Sequence, residues 1–450
     1  MSKELGDVPE VSARPQSYPV SYEQESIWLD DRLCEGQSRC LESLVYRLTG
    51  PLDTGAVQWA ISQVIARHEI LRSQLTARDG KLVQIVNAPV PVPMAQMSCT
   101  SAALPAELSR ITAEPLDLSE APVRPWLVCL SPDEFVLAVQ FHHAVVDDWA
   151  LDVFQRELMH FYTARLLGRR PSLAPLRMQA GDFAVAQRAA GIDQEDLAYW
   201  RERVRDAPRS CTIPPDRPGP EELPHRGEQQ LFEVSSELGH AVRAMSRARR
   251  TTPYTVFAGA MAALLWQYGE PDEVIFGTPV SHRGTAAVDG MIGCLSDLLP
   301  LRLAISRDAS FRTLIDAAKA EVVGAMDHRA VPYAALVRMA RSGTGADLPP
   351  LCDVALVVDD MRWEPLTLPG VTAERIYVPQ GWAKFDVSLT LVAGHDGGYA
   401  GFCDYDADVY DAATMARAAS RFITLLARLI AAADEPIGQV AGSAAALSRD

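Results

Sequence analysis

A proline-rich segment divides this chain into two halves, in which a similar order of helices and strands recurs. Residues 209–228, RSCTIPPDRPGPEELPHRGE, contain five prolines and few apolar side chains, which is typical of a surface connection. The halves match in layout rather than in residues, and we find no low-complexity repeat. Because each half needs its own core, this layout predicts two α/β lobes of similar construction that face one another.

Hydrophobic periodicity predicts the helices and strands of both halves. Apolar residues at helical spacing, opened by turn or capping residues, occur at 21–34, 55–71, 148–168, 235–250, 252–269 and 412–432. Strand-like apolar runs occur at 81–86, 126–130, 135–143, 274–280, 352–360 and 385–393.

Length and composition fit a globular chain of this kind. A chain of 450 residues with 48% hydrophobic residues is long enough for about two to three domains with their own cores. We predict an N-terminal tail at 1–18, a first lobe at 19–205, a connection at 206–228, a second lobe at 229–440 and a tail at 441–450.

Cysteine usage and charge exclude several classes of protein. The eight cysteines are scattered, without a CxxC pair or a zinc-like histidine spacing, so we predict reduced thiols and no metal site. The N-terminus lacks the apolar core of a signal peptide, and no long uncharged apolar run follows, so we predict a cytoplasmic protein with no membrane partner. A net charge of −16 argues against nucleic acid as a partner.

Residues 141–150, FHHAVVDDWA, combine titratable side chains with a change of periodicity, from a strand through a tight loop to a helix. On a continuous strand, His143 would share the more apolar face with Phe141 and Leu137. A neutral imidazole held there could accept a proton near pH 7, because its unperturbed pKa is about 6.5 and burial lowers it. The alternative is structural: adjacent histidines at strand ends often only pack, and Asp147 or Asp148 could cap the helix.

The motif HHAVVDDW resembles the HHxxxDGW signature of nonribosomal peptide synthetase condensation domains, and other motifs of that family follow the expected order. The similar segments are SYEQESIWL (21–29), RHEILRSQL (67–75), DFAVAQ (182–187), AYW (198–200), FGTPVSHR (276–283), MIGCLSDLLPLR (291–302), HRAVPYAALV (328–337) and AKFDVSLTL (383–391). The resemblance covers residues from about 21 to 432.

The resemblance implies a V-shaped pair of chloramphenicol-acetyltransferase-like lobes with an active-site tunnel between them. A carrier protein would present an acyl thioester on its phosphopantetheine arm, and an acceptor amine or hydroxyl would enter from the other side. The protein itself would bind no cofactor.

The family's motifs also imply roles for individual residues. His143 takes the catalytic position, as base or as a hydrogen-bond acceptor that positions the nucleophile, beside His142. Asp147 would hold the loop through an ion pair with an arginine, for which Arg67, Arg72 and Arg283 are candidates. The tryptophans of these motifs, which are Trp28, Trp149 and Trp200, are expected in the core.

The chain departs from the family pattern at two places. Asp148 replaces the glycine of the signature, and Ser296 and Asp297 replace an Asn-Thr pair near the expected tunnel floor. The extra carboxylates suggest an unusual polar or cationic acceptor. Sequence drift, or a helix cap facing solvent, explains them equally well.

No adenylation domain or carrier-protein serine motif occurs in the sequence, which suggests a free-standing enzyme that meets an acyl or peptidyl carrier protein in trans. Carrier proteins are usually acidic, so docking needs a basic or apolar patch. The densest cluster of positive charge is a candidate for this patch, and it consists of Arg243, Arg247, Arg249 and Arg250. The alternative is that these arginines only form a solvated helix end.

Several other functions remain open within this resemblance. An epimerase would carry an EGHGRE-like stretch, which AGHDGG at 393–398 does not match, and a heterocyclising relative would have aspartates in place of the histidines. A noncatalytic relative that recruits oxidases has paired aspartates but lacks the second histidine. That second histidine is present here as His143, but Asp148 still leaves open a scaffold that binds carrier proteins or tailoring enzymes. The sequence also leaves open whether an amide or an ester forms, and whether the acceptor is a small molecule or carrier-bound.

Overall fold

The computed structural model describes residues 14–33, 40–207, 213–219, 226–340, 351–360, 364–379 and 381–442. Parts of the predicted tails and of the predicted connection at 206–228 lie outside these ranges, so the predicted lobe boundaries stay predictions.

The described chain contains helices in both halves, and these are the α-helices α1 Tyr22–Leu33, α2 Thr54–Arg67, α3 Leu104–Ala113, α4 Asp148–Leu166, α5 Ala180–Ala190, α6 Gln194–Val204, α7 Ser236–Ala248, α8 Pro253–Trp266, α9 Phe311–Asp327, α10 Tyr333–Ala340, α11 Ala412–Ala431 and α12 Ile437–Ala441. Two short 3-10 helices occupy Glu69–Arg72 and His143–Val145. Among the described residues, none of the helices combines the length and the apolar character needed to cross a lipid bilayer.

The strands are β1 Ser17–Pro19, β2 Leu41–Thr49, β3 Ser73–Arg78, β4 Lys81–Val86, β5 Ala95–Ser98, β6 Val123–Ser131, β7 Glu134–His142, β8 Gly227–Val234, β9 Glu273–Ser281, β10 Ser296–Ala304, β11 Val354–Asp359, β12 Thr372–Arg375, β13 Val387–Ala393 and β14 Tyr399–Asp406. With the helices, they confirm the predicted α/β class. Every predicted helix and strand has a counterpart; for example, the helix predicted at 412–432 is α11.

The first half is built on a five-stranded sheet in the order β12-β2-β7-β6-β5, with a small sheet β1-β4-β3 beside it. Strand β7 lies at its centre, and all its residues after Glu134 are buried. Leu137 and Val139 face the core shared with α2 and α4, whereas Val136 and Ala138 face a smaller core with α3. The alternation of β7 therefore fills two layers, as expected of a strand covered on both faces.

The second half is built on a six-stranded sheet in the order β10-β9-β11-β13-β14-β8. Helix α8 is buried without interruption over residues 255–266. A helix that is apolar on all sides belongs inside a core rather than on its surface, and α8 lies between α7, α9 and α11.

Each half contributes an element to the other. Strand β12 comes from the second half of the sequence but pairs with β2, with Arg375 opposite Tyr46. Helix α6 precedes the predicted boundary at 205, yet its Trp200 is buried in the second core and donates a hydrogen bond to the His328 carbonyl at 2.8 Å. The two lobes are thus interlocked.

Candidate active site

The two histidines lie at the end of β7, where the strand changes into a 3-10 turn. His142 is the last residue of β7, and the His143 N–H donates to the Cys40 carbonyl at 2.7 Å. The sequence predicted His143 on the apolar side of a continuous strand; this is wrong in detail, because the strand ends one residue earlier. His142 is the fully buried imidazole, whereas the side chain of His143 is 24% exposed.

The ring of His143 is oriented by one backbone contact. Its Nδ1 lies 2.8 Å from the Val146 carbonyl oxygen. A carbonyl can only accept, so Nδ1 carries the proton and Nε2 is left as an acceptor. Burial, and then the positive charge of Lys384, lower the pKa of this imidazole below its ordinary value. His143 is therefore neutral at pH 7 and can receive a proton at Nε2.

The neighbouring His142 stabilises the turn. Its Nδ1 accepts a hydrogen bond from the Ala144 N–H at 3.2 Å, and its Nε2 lies 3.6 Å from a carboxylate oxygen of Asp31. Buried at the base of the loop, it supports the position of His143.

Asp147 connects the two lobes. As the N-cap of α4, its Oδ1 accepts from the Ala150 N–H at 2.8 Å and from Arg283 Nη2 at 3.1 Å. Its Oδ2 accepts from the Leu295 N–H at 3.0 Å and lies 3.4 Å from Ser296 Oγ. One buried carboxylate thus joins the helix that follows the histidines to the segment that enters β10.

Of the three arginines proposed as partners of Asp147, Arg283 occupies that place. Its guanidinium also donates to the Met291 carbonyl at 2.8 Å, and its side chain is only 3% exposed. The other two candidates are corrected: Arg67 pairs with Glu157 at 2.9 Å, and Arg72 donates to the carbonyls of Ala66 and Asn87. Arg67, the last residue of α2, and Arg72, in the 3-10 helix that follows, are thus engaged by these nearer partners.

A second ion pair beside His143 was not predicted. Glu42 on β2 accepts from Lys384 Nζ at 3.0 Å, and the same carboxylate oxygen lies 4.0 Å from His143 Nδ1. Burial works against the charge on Lys384, but the acidic groups around it, Glu42 first and then Cys40 and Asp148, together keep the pKa of the ammonium above its ordinary value. The two residues are too far apart in sequence for any spacing rule to pair them.

Asp148 occupies the first position of α4, in place of the signature glycine. Its side chain is accessible to solvent, yet protein surrounds it on most sides. Burial, followed by the negative charges of Glu42, Asp147 and Asp359, raises the pKa of this carboxyl to about 7. Near neutral pH the site thus contains an acid that can exist with or without its proton.

This raised pKa makes the stability of the parent protein depend on pH. A carboxyl that binds its proton more tightly in the folded chain stabilises it at low pH, and this contribution is lost as pH rises from the unfolded pKa near 3.8 through about 7. In thermal scans, we expect Asp148→Asn to have a higher melting temperature than the parent at pH 8. This gap in melting temperature should close toward pH 4. A gap of equal size at both pH values would contradict this assignment.

The remaining predicted site residues are Ser296, Asp297 and Trp149. Ser296 is near Asp147, whereas the Oδ2 of Asp297 accepts from the Tyr333 N–H at 2.9 Å. Burial, followed by the negative charge of Glu23, raises the pKa of Asp297 to about 7. Trp149 is partly buried and donates to the Asp289 carbonyl at 2.8 Å.

Two of the four arginines in the candidate docking cluster are engaged by other residues of the protein. Arg243 donates to the Gly397 carbonyl and to the Tyr399 hydroxyl, and Arg249 forms an ion pair with Asp316. Arg247 and Arg250 are exposed. Docking through this cluster stays a prediction that now depends on these two side chains.

Comparisons with known proteins show which family the chain resembles over almost its whole length. A family model described as "Condensation domain" matches residues 15–444. CymA of Salinispora arenicola, a probable nonribosomal peptide synthetase, is 34% identical over 432 residues, which are 93% of this chain and 6% of that protein. The chain therefore spans a small part of this relative.

Solved structures share the two-lobed fold. The X-domain from teicoplanin biosynthesis is 26% identical with a TM-score of 0.87, covering 96% of this chain and 99% of that one. The same X-domain in complex with OxyB gives a TM-score of 0.86 at 26% identity, over 96% of this chain and 98% of that chain.

Proposed function

The chain belongs to the condensation-domain family of nonribosomal peptide synthetases, and from that premise we propose that it transfers an acyl or aminoacyl group from a carrier-protein phosphopantetheine thioester to an amine or hydroxyl acceptor. The observation that supports this most is the neutral imidazole of His143, whose Nδ1 is fixed by the Val146 carbonyl and whose Nε2 is free to accept. That is the state a general base needs near pH 7.

In the proposed reaction, the acceptor nitrogen or oxygen attacks the thioester carbonyl carbon while its proton moves to His143 Nε2. The carbon–sulfur bond then breaks, and the thiolate leaves with that proton as the free thiol. His143 returns to its neutral form, so no further reactant is consumed. Holding both substrates against a fixed imidazole would supply much of the rate enhancement.

The carboxyl of Asp148 bears on the choice of acceptor. An alkyl ammonium must lose a proton before it attacks, whereas an alcohol needs a base only as the bond forms. Asp148 in its ionised form would hold an ammonium, and either form could bind a hydroxyl. We favour a small soluble acceptor, with amide and ester formation as the two outcomes.

A competition assay tests this function directly. One acyl-loaded carrier is offered paired amine and alcohol acceptors, and the products are identified by mass. Acylation of a soluble acceptor is the expected result. If only a carrier-bound aminoacyl group is acylated, the acceptor proposal fails while acyl transfer stands.

A second candidate function is a protein-binding scaffold, and the comparison with the X-domain favours it. That domain is more than 25% identical to this chain and has been solved in complex with OxyB. As a scaffold, this chain would bind a carrier protein or a tailoring enzyme without chemistry. Product formation with any acceptor excludes a purely noncatalytic role, and binding without turnover supports it.

The ion pair of Glu42 and Lys384 gives a further prediction for the proposed base. Lys384→Met removes a positive charge that lowers the pKa of His143 and leaves Glu42, which raises it. The pKa of His143 should rise, so activity should be lost at a higher pH as the solution is acidified. The pH dependence of acyl transfer, or an NMR titration of the ring, measures this. Adding Glu42→Gln should reverse the shift; an unchanged or lower pKa in Lys384→Met would count against the assignment.

A further inference from the structure

Three side chains from distant parts of the sequence meet where α1 approaches β9 and β10. Glu23 belongs to α1 of the first half, His282 follows β9, and Asp297 belongs to β10. One carboxylate oxygen of Glu23, one imidazole nitrogen of His282 and one carboxylate oxygen of Asp297 lie within 4.8 Å of one another. This cluster joins the two lobes and contains two acids and an imidazole.

Charge within the cluster is poorly compensated. The Glu23 side chain is 1% exposed, and its Oε2 is buried with no hydrogen-bond partner among the described residues. His282 Nε2 is likewise buried without a hydrogen-bond partner, although it lies only 3.5 Å from Glu23 Oε1. Within the described ranges, no lysine or arginine forms an ion pair with Glu23 or Asp297. Buried carboxylates normally pair with such groups or bind a metal ion, so the cluster has capacity for a cation.

Other contacts hold the two carboxylates in place without using up their capacity to accept further bonds. Gln187 Nε2 donates to Glu23 Oε1 at 2.8 Å, and the N–H groups of Leu298 and Tyr333 donate to Asp297 at 2.8 and 2.9 Å. Arg329, whose positive charge acts on His282, donates to the Met326 carbonyl. Each carboxylate therefore keeps a lone pair for a further ligand.

We propose that Glu23, His282 and Asp297 form a binding site for a divalent transition-metal ion, of which Zn²⁺ and Mn²⁺ are the probes of choice. An imidazole with two carboxylates suits these ions better than Mg²⁺ or Ca²⁺, which prefer oxygen ligands alone. Tetrahedral zinc with bonds of about 2.1 Å has ligand atoms roughly 3.4 Å apart, so small side-chain rotations within the 4.8 Å cluster would complete the site. Water would fill the remaining positions.

Such an ion would fasten α1 to the β9 and β10 pair across the junction of the lobes. The proposal does not rest on acyl transfer, because metal binding can be measured without turnover; it gives Asp297, a candidate for the tunnel floor, the role of a metal ligand instead of a contact with the acceptor. Analysis of the sequence predicted no metal site, because residues 23, 282 and 297 share no local spacing pattern.

Metal binding can be measured on the whole protein without a polyhistidine tag. After treatment with a chelator, the protein is equilibrated with Zn²⁺ or Mn²⁺, and bound metal is quantified by mass spectrometry. We expect about one ion per chain and a rise in the melting temperature of roughly 2 °C or more at saturating metal, because an ion that binds only the folded chain stabilises it.

Conservative variants then locate the ion. Glu23→Gln, His282→Gln and Asp297→Asn should each weaken binding about tenfold or more, since each loses a ligand atom of the required charge or basicity. His328→Gln is the matched control, because it disrupts a different histidine–carboxylate pair, with Asp196 at 2.6 Å. Melting of the metal-free variants shows that they fold.

The parent protein alone can overturn the proposal. If it keeps no equivalent of either metal and its melting temperature does not respond, the three side chains share a proton instead of an ion. Equal metal uptake by the parent and a folded Asp297→Asn variant would mean that the ion binds elsewhere, and this would also refute the site.

Discussion

His143→Ala is expected to lower acyl transfer by about 10²-fold or more while leaving the melting temperature close to that of the parent. The reason is that His143 contributes to the site mainly through a free Nε2, whereas its backbone N–H, which bonds the Cys40 carbonyl, is retained in alanine. Steady-state rates with an acyl-loaded carrier protein measure the loss.

His142→Ala is the matched control for this experiment. That imidazole is fully buried and supports the turn, so its loss should lower stability more and the chemical step less than the loss of His143 does. Equal activity of His143→Ala and the parent, at matched melting temperatures, would remove the assignment of the base and leave the scaffold function as the stronger candidate.

Asp147→Ala is expected to cost about 3 to 5 kcal/mol of folding free energy, the largest stability effect at this site. The substitution leaves the Arg283 guanidinium, only 3% exposed, without its carboxylate, and it also removes the N-cap of α4. Denaturant unfolding should show a much larger loss than for His143→Ala.

A surface ion pair provides the control for that measurement. Asp316 pairs with Arg249, but its side chain is 49% exposed, so Asp316→Ala should change stability by well under about 1 kcal/mol. If Asp147→Ala and His143→Ala unfold at the same denaturant concentration, the pair of Asp147 and Arg283 does not hold the lobes together. Low activity of Asp147→Ala would in either case not make Asp147 a catalytic residue.

Local patterns predicted much of this architecture. The change from alternating to helical spacing across residues 135–166 correctly placed β7, the loop and α4, because both elements have strong periodic signals. Strand β12 was missed, since Thr372–Arg375 is too short and polar to show a strand pattern and depends on pairing with β2.

For the site, too, the sequence predicted individual residues but not the contacts between residues far apart in the chain. The family motifs singled out His143 and Asp147. The strand was predicted to end one residue too late, so His143 was expected to be the more buried histidine, whereas it is His142. The pairing of Glu42 with Lys384, and the cluster of Glu23 with His282 and Asp297, arise only when the two lobes come together. No periodicity in one sequence carries that information.

The pairing of β12, from the second half of the sequence, with β2 of the first half has a consequence for the synthesis of the protein. Strand β2 ends at Thr49, but the neighbour that covers its outer edge begins at Thr372, so a growing chain on the ribosome exposes that edge through most of its synthesis. Unpaired edges invite association between chains, and contacts between residues far apart in sequence slow folding. The first half expressed alone should therefore aggregate, and supplying the missing segment on a separate polypeptide should improve its solubility.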